Sequence, residues 1–258
     1  MYKRQVLPGD RWLDIGAHIG AFSGVCLAAG ADVVAVEPDS DNFRLLEYNG
    51  SLRHVLDPCP GTFVAIQKAV IGSEEATSCI LYAHPQQCAF RHSTERLALA
   101  QRRGLTETTW QGATVEATSL TKLLEEYPDV NGVKVDAQGA EVEIVSAVRD
   151  WRNVQKLVLE YDFEYRPSLR AFHAFVDDLR KHFSSVNHAK LKRTGDFVGF
   201  PNGVLVFATR AAPPVAPERA AAARFDDDDD GGGASDSEDD MPVSALLARS
   251  PVARRVTL

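Results

Sequence analysis

"RWLDIGAHIGAFSGVCLAAGADVVAVEP" (11–38) decides the fold. Its first segment, "RWLDI" (11–15), reads as a short strand that Gly16 ends. "AFSGVCLAAG" (21–30) carries a helical pattern, with Gly30 at its C-terminal cap. "DVVAVE" (32–37) is a near-continuous apolar run, as expected of a strand covered on both faces. Strand, turn, helix and strand in that order make a parallel pair joined by a right-handed crossover.

The same alternation continues along the chain. "PDSDNFRLLEYNG" (38–50) predicts a helix with Asp39 or Ser40 as N-cap and Gly50 as terminator. "TFVAIQ" (62–67) and "GVKVD" (132–136) are two more strands, and "AEVEIVSAV" (140–148) has helical spacing. "VQKLVLEY" (154–161) is a further strand. "SLRAFHAFVDDLRKHF" (168–183) places Leu169, Phe172, Phe175, Val176 and Leu179 on one helical face. "SSVNHAKL" and "GVLVFAT" (203–209) read as a terminal antiparallel pair. The expected fold is α/β, a doubly wound and mostly parallel Rossmann-like sheet.

Two regions depart from this rhythm. Residues 83–112 form a long excursion with one helix expected near 94–103, readable as a lid or an insertion. Arg91, Arg96, Arg102 and Arg103 would give it a positive edge. Near residue 210 the composition changes to Ala, Pro, Gly, Ser and Asp with one aromatic. Such a stretch cannot bury enough apolar surface to offset its ordering entropy, so 211–258 is expected to be a disordered acidic tail after a 1–210 catalytic domain. Ser235 and Ser237 each have an acid three residues on, which makes the tail a candidate phosphorylated, partner-binding segment.

The formal net charge is −8. The tail holds ten acids and five arginines, a net of −5, leaving −3 for residues 1–210. That balance argues against a nucleic-acid partner, for which a basic face is the usual footprint. "VCLAAGADVVAV" (25–36), the longest apolar stretch, holds Gly30 and Asp32 and is too short to span a bilayer. No apolar segment of signal-peptide type follows the start, and the four cysteines lack C-x-x-C spacing. The expectation is a reducing, cytoplasmic setting with no zinc site and no disulfide framework. The histidines show no ligand spacing, so no metal site is expected.

The turn after the first strand faces the carboxyl ends of the sheet, where ligands of such folds bind. Glycines there let backbone approach a ligand, and the helix start offers N–H groups. Glu37 ends the second strand and suits the two hydroxyls of a ribose. A dinucleotide turn wants G-x-G-x-x-G, whereas Gly16 and Gly20 stand four apart with His18 between them. Asp14, two residues before Gly16, would repel a pyrophosphate by ~1 kcal/mol or more in a partly buried site. The same charge favours a cofactor bearing an ammonium and a sulfonium. S-adenosylmethionine is therefore preferred over NAD, and an NAD oxidoreductase is the fold-level alternative.

"PGDRWLDIGAHIGAFS", "VVAVEPDSDNFRLLEYN" and "VKVDAQGAEVEIV", in that order, resemble the FkbM-type class I methyltransferases over roughly residues 6–208. The resemblance implies S-adenosylmethionine as methyl donor and O-methylation of a small molecule or sugar hydroxyl. It implies that Asp14, Gly16, Ala17, His18 and Gly20 form the cofactor turn, that Glu37 and Pro38 meet the ribose, and that Asp136 lies near the methionine moiety or the acceptor. Asparagine is usual in the family where His18 stands, and glutamate where Gln138 stands. Relatives also carry a longer segment before the first strand, implying an incomplete N-terminus or a less covered cofactor.

Asp136, Glu141 and Glu160, at or just past strand ends, are the candidates for accepting a proton from the acceptor. Glu141 has the alternative of capping its own helix. "DAQGAE" stands where nucleobase N-methyltransferases carry a D/N-P-P-aromatic loop, which argues against a flipped base as substrate. A protein acceptor docking on the excursion, and a catalytically inactive domain acting through the tail, are the competing readings.

Overall fold

Strand β1 (Arg11–Ile15), buried from Trp12 to Ile15, becomes the middle of the five parallel strands of the main sheet. In the computed structural model, residues 5–51, 61–83, 111–163, 166, 168–190 and 203–210 are described. After β1 come α1 (Ala21–Ala28), β2 (Asp32–Val36), α2 (Ser40–Ser51), β3 (Phe63–Ile66), β4 (Ala69–Ile71), β5 (Ser78–Ala83) and β6 (Gln111–Ser119). They are followed by α3 (Leu120–Glu126), β7 (Gly132–Val135), α4 (Glu141–Ser146), β8 (Lys156–Asp162), α5 (Leu169–Leu179), β9 (Ser185–Lys190) and β10 (Gly203–Thr209).

Seven strands form one sheet in the order β3-β2-β1-β7-β8-β10-β9. The five from β3 to β8 pair in parallel, and β10 runs antiparallel to both β8 and β9. This is the doubly wound α/β sheet with a terminal antiparallel pair that the alternating pattern implies. The chain travels outward from β1 to β3 and returns to β7 on the other side of β1. That reversal opens a crevice beyond the strand ends, the place where such sheets bind ligands.

Helices cover both faces. Trp12, Val33 and Ala35 pack with Phe22, Cys26 and Leu27 of α1 and Leu46 of α2. Leu13, Ile15, Val133, Val135, Leu157 and Leu159 point the other way, toward α3, α4 and α5. Within each of these strands, alternate residues thus divide between two cores.

Several local expectations are refined. Asp39 is the cap of α2, its Oδ1 accepting from Asp41 N (3.1 Å) and Asn42 N (2.9 Å). Gly50 does not end that helix, which continues to Ser51. A Cβ at Gly50 would lie 2.1 Å from the Phe63 ring, so the glycine is there to let α2 lie close on β3. Ser168 caps α5 through Ala171 N, but the helix stops at Leu179 and Leu169 is half exposed.

A second sheet of three strands, β4-β6-β5, was not anticipated. β6 is mostly solvent-exposed and polar, so its sequence carries no apolar alternation to betray it. Ala83 at the end of β5 sits opposite Gln111 at the start of β6, which brings the two ends of the excursion together. The helix expected near 94–103, the arginine edge and the 211–258 tail lie outside the described residues.

Candidate functional site at the sheet's switch point

Register aligns the candidate residues in rows. Asp14 stands opposite Ala35 on one side and Lys134 on the other, and Lys134 opposite Val158. The last paired row is Val36, Ile15, Val135 and Leu159, and the next residues along the chain are Glu37, Gly16 and Asp136, just past the ends of β2, β1 and β7, and Glu160 on β8. These residues share the phase of Trp12, Val33, Ala35 and Val158, the α1 side of the sheet. Three carboxylates and a glycine therefore line the carboxyl edge where the winding reverses.

The turn after β1 is left-handed at three points: Gly16 (φ 67), His18 (φ 53) and Gly20 (φ 91). Gly16 N and Ala17 N both donate to Val36 O, at 2.9 and 3.1 Å, which fastens the turn to the end of β2. A Cβ on Gly16 would lie 1.9 Å from the Asp136 carbonyl oxygen, so only glycine lets β1 and β7 meet here. Ala17 is buried, while His18, Gly20 and Pro38 are half-buried. His18 takes a backbone conformation that costs a residue with a Cβ about 1–2 kcal/mol. The bond that holds it is its own N–H to Glu37 Oε2, at 2.8 Å.

Glu37 is 5% exposed. Its Oε1 accepts from Asp39 N at 3.0 Å and from Asn42 Nδ2 at 3.5 Å. Burial pushes the carboxyl above its ordinary value, and the N–H donors of Asp39 and His18 and the Asn42 amide pull it back in part. Each carboxylate oxygen has two acceptor sites, so these three bonds leave one site, on Oε2, able to accept from a hydroxyl.

Asp14 does not face the turn's open side. It is fully buried beneath it, accepting from Ser23 Oγ at 2.7 Å and paired with Lys134 Nζ at 3.1 Å. Strand alternation turns this side chain toward α1, where an internal cation meets it. Lys134, missed in the sequence, is the centre of the arrangement. Its Nζ also donates to Gly16 O at 2.9 Å and Ile15 O at 3.4 Å, and lies 3.7 Å from Asp136 Oδ2. The available signal was a lysine inside "GVKV", a strand buried at all four positions.

Beyond β7 the chain makes a tight loop into α4. Glu141, buried, accepts from Ala137 N (2.9 Å) and Gly139 N (2.9 and 3.1 Å). Its carboxylate is turned into the loop before α4 and accepts from that loop rather than from the helix's own first-turn N–H groups. The constraint holds Gln138 at φ 49 and Gly139 at φ 111. Gln138 Nε2 then reaches back to Asp136 Oδ1 at 2.9 Å. Asp136 remains half-buried at the crevice, and Glu160, also half-buried, stands level with it on β8. Among the described residues no group of three or more His, Cys, Asp or Glu side chains could hold a metal ion. No described helix is long and apolar enough to cross a membrane.

An open, doubly wound sheet with a glycine turn and strand-end acids at its reversal defines an enzyme class that works on a nucleoside-bearing cofactor. The chain belongs to the FkbM methyltransferase family: the Methyltransferase FkbM domain matches residues 14–186. It is similar to hexuronic acid methyltransferase AglP of Haloferax volcanii, 28% identical over 194 residues that cover 72% of this chain and 67% of that one. Among solved structures it is similar to precorrin-6y C5,15-methyltransferase of Geobacter metallireducens (TM-score 0.44, 15% identity, 81% and 84% of the two chains). A SAM-dependent O-methyltransferase of Thermotoga maritima gives a TM-score of 0.42 at 14% identity, covering 81% and 62%. The protein is therefore a methyltransferase, and its family implies S-adenosylmethionine as the donor.

The residues fit that donor in their chemistry. The crevice rim is rich in acceptors, and Asp14, Lys134 and Asp136 together carry one net negative charge. Lys134 is engaged by two carboxylates and two carbonyls rather than offered to a phosphate.

Proposed function

We propose that this methyltransferase binds S-adenosylmethionine across the β1–β7 crevice and methylates an oxygen of a sugar or sugar acid. The observation that carries the reading is the row Glu37, Gly16, Asp136 and Glu160 across the switch point. Glu37 would accept from a ribose hydroxyl through the site left on Oε2, as an ionised carboxylate does well. The Gly16–Gly20 turn, with Ala17, His18 and Pro38, would wall the donor's nucleoside and amino-acid parts. Asp14, through Lys134, would act from beneath the turn and not by contact. When bound, the donor supplies an electrophilic methyl group on a sulfonium.

Asp136 and Glu160 would flank the acceptor, orient it and take up a hydroxyl proton directly or through one water. Alignment of acceptor oxygen and methyl carbon would account for most of the rate, and proton removal for about 10²–10⁴-fold. The similarity to a hexuronic acid methyltransferase supports a saccharide acceptor.

The test is calorimetric titration of S-adenosylmethionine and S-adenosylhomocysteine into the full chain, with Glu37→Ala as control, followed by methyl-label transfer to free hexuronic acids and neutral sugars. Micromolar binding that Glu37→Ala abolishes, with label in a saccharide, is the expected result. Alkali-stable label identifies an ether and alkali-labile label an ester. Binding without transfer to any saccharide overturns the acceptor class, and no binding overturns the site.

A further inference from the structure

Resting on that reading of Asp136, we infer that Gln138 is a positioning residue for it. The Gln138 amide holds one oxygen of the Asp136 carboxylate and the Lys134 ammonium stands by the other, fixing its direction at the crevice.

The geometry is built in from β1, β7 and the loop that leads into α4. Gln138 Nε2 donates to Oδ1 at 2.9 Å, and Lys134 Nζ approaches Oδ2 at 3.7 Å. Gln138 reaches back because its backbone is left-handed, at φ 49, a conformation disfavoured for a residue with a Cβ. Glu141 enforces it by holding the N–H groups of Ala137 and Gly139 on either side. Lys134 is held by Asp14 and by the carbonyls of Ile15 and Gly16. Strain in a loop whose flanking amides are both held marks a side chain with an assigned direction.

The choice of an amide is electrostatic as well as steric. Among the described residues, the charged groups around Asp136 are Lys134 on β7, Asp14 beyond Lys134, Glu141 at the start of α4, Glu160 on β8 and Glu37 across Gly16. Acids thus outnumber cations. A carboxylate at position 138 would face that of Asp136 at hydrogen-bond distance, and two such groups share a proton. A glutamine donates to Asp136 and adds no charge, favouring the ionised form.

Gln138→Met removes the donor at similar length, and Gln138→Glu replaces it with a competing acid. The acidic limb of the kcat/KM–pH profile is expected to move upward in the order wild type, Gln138→Met, Gln138→Glu. For Gln138→Glu the shift should reach about one pH unit, a tenfold loss on that limb, with the alkaline plateau much less affected. A purely structural role would lower the plateau and leave the limb in place. A crystal structure of ligand-free Gln138→Met is the second readout, expected to show the Asp136 carboxylate rotated or in two conformers. An unmoved limb overturns the inference, and so does an Asp136 carboxylate that keeps its direction in Gln138→Met. A wild-type chain that binds no donor overturns the reading of the site instead, and the crystallographic result still decides the positioning role.

Discussion

Glu37 Oε2 accepts the backbone N–H of His18 at 2.8 Å, a bond that joins the end of β2 to the left-handed corner of the turn after β1. The acid expected to meet the ribose is thus also part of the turn's own framework. Binding and the shape of the binding loop depend on one buried carboxylate.

That dependence gives a pH effect with a definite sign. Burial raises the Glu37 carboxyl above its ordinary 4.5, so the ligand-free fold favours the protonated form. Stability of the ligand-free protein should therefore fall as pH rises from 4.5 through the raised value, then level off. Hydroxyl donors on a bound ribose favour the ionised form, so donor binding should release protons and tighten across the same interval. Calorimetry in buffers of different ionisation enthalpy measures the release directly. Proton uptake on binding, or an affinity that is flat with pH, would remove Glu37 from the ribose.

The two glycines of the turn should differ in sensitivity. Gly16→Ala puts a methyl 1.9 Å from backbone of β7 at φ 67, and neither strand can retreat without breaking the sheet. Its loss should exceed about 3 kcal/mol by chemical denaturation, combining left-handed strain with overpacking. At Gly20 the nearest atom is the flexible Leu46 side chain, at 2.9 Å, so Gly20→Ala should cost about 1–2 kcal/mol, mostly backbone strain at φ 91. Equal losses at the two positions would refute this account of the switch point.

The parts of the fold legible in the sequence are those where burial imposes a simple pattern. β1, α1 and β2 announce themselves because both sheet faces are covered, giving apolar runs broken by Gly16 and Gly30. β6 is silent because it is exposed and its pairing partners are distant in sequence. In the site, Glu37 and Asp136 could be placed from strand ends alone. Lys134 could not: its role depends on lying in register with Asp14, more than a hundred residues away. Asp14, expected as part of the cofactor turn, lies at the end of β1 paired with Lys134, since the sequence reveals an acid's position and not which charge it faces.

The Lys134–Asp14 pair should behave as a coupled unit. Lys134→Met leaves Asp14 charged, fully buried and without its cation, which should cost about 3–5 kcal/mol. Asp14→Asn combined with Lys134→Met removes both charges while keeping an acceptor for Ser23. The double variant should be more stable than the sum of the single losses by about 1 kcal/mol or more in a double-mutant cycle. Additive losses would mean that the 3.1 Å contact carries no interaction energy.

Glu141 separates stability from chemistry. Glu141→Ala leaves the N–H groups of Ala137 and Gly139 without their acceptor and should cost about 1–3 kcal/mol. Glu141→Gln keeps an oxygen at Oε1, which serves both N–H groups at 2.9 and 3.1 Å, and should lose much less. Because the carboxylate faces its own loop, Glu141→Gln should also retain methyl transfer to within about tenfold, below the 10²–10⁴-fold that loss of a general base costs. Denaturation, donor binding and single-turnover rate on the same preparation decide the matter. A folded, donor-binding Glu141→Gln protein with its rate reduced about a thousandfold would return Glu141 to the proton-transfer step. Retention of the rate leaves Asp136 and Glu160 as the two carboxylates to test against each other.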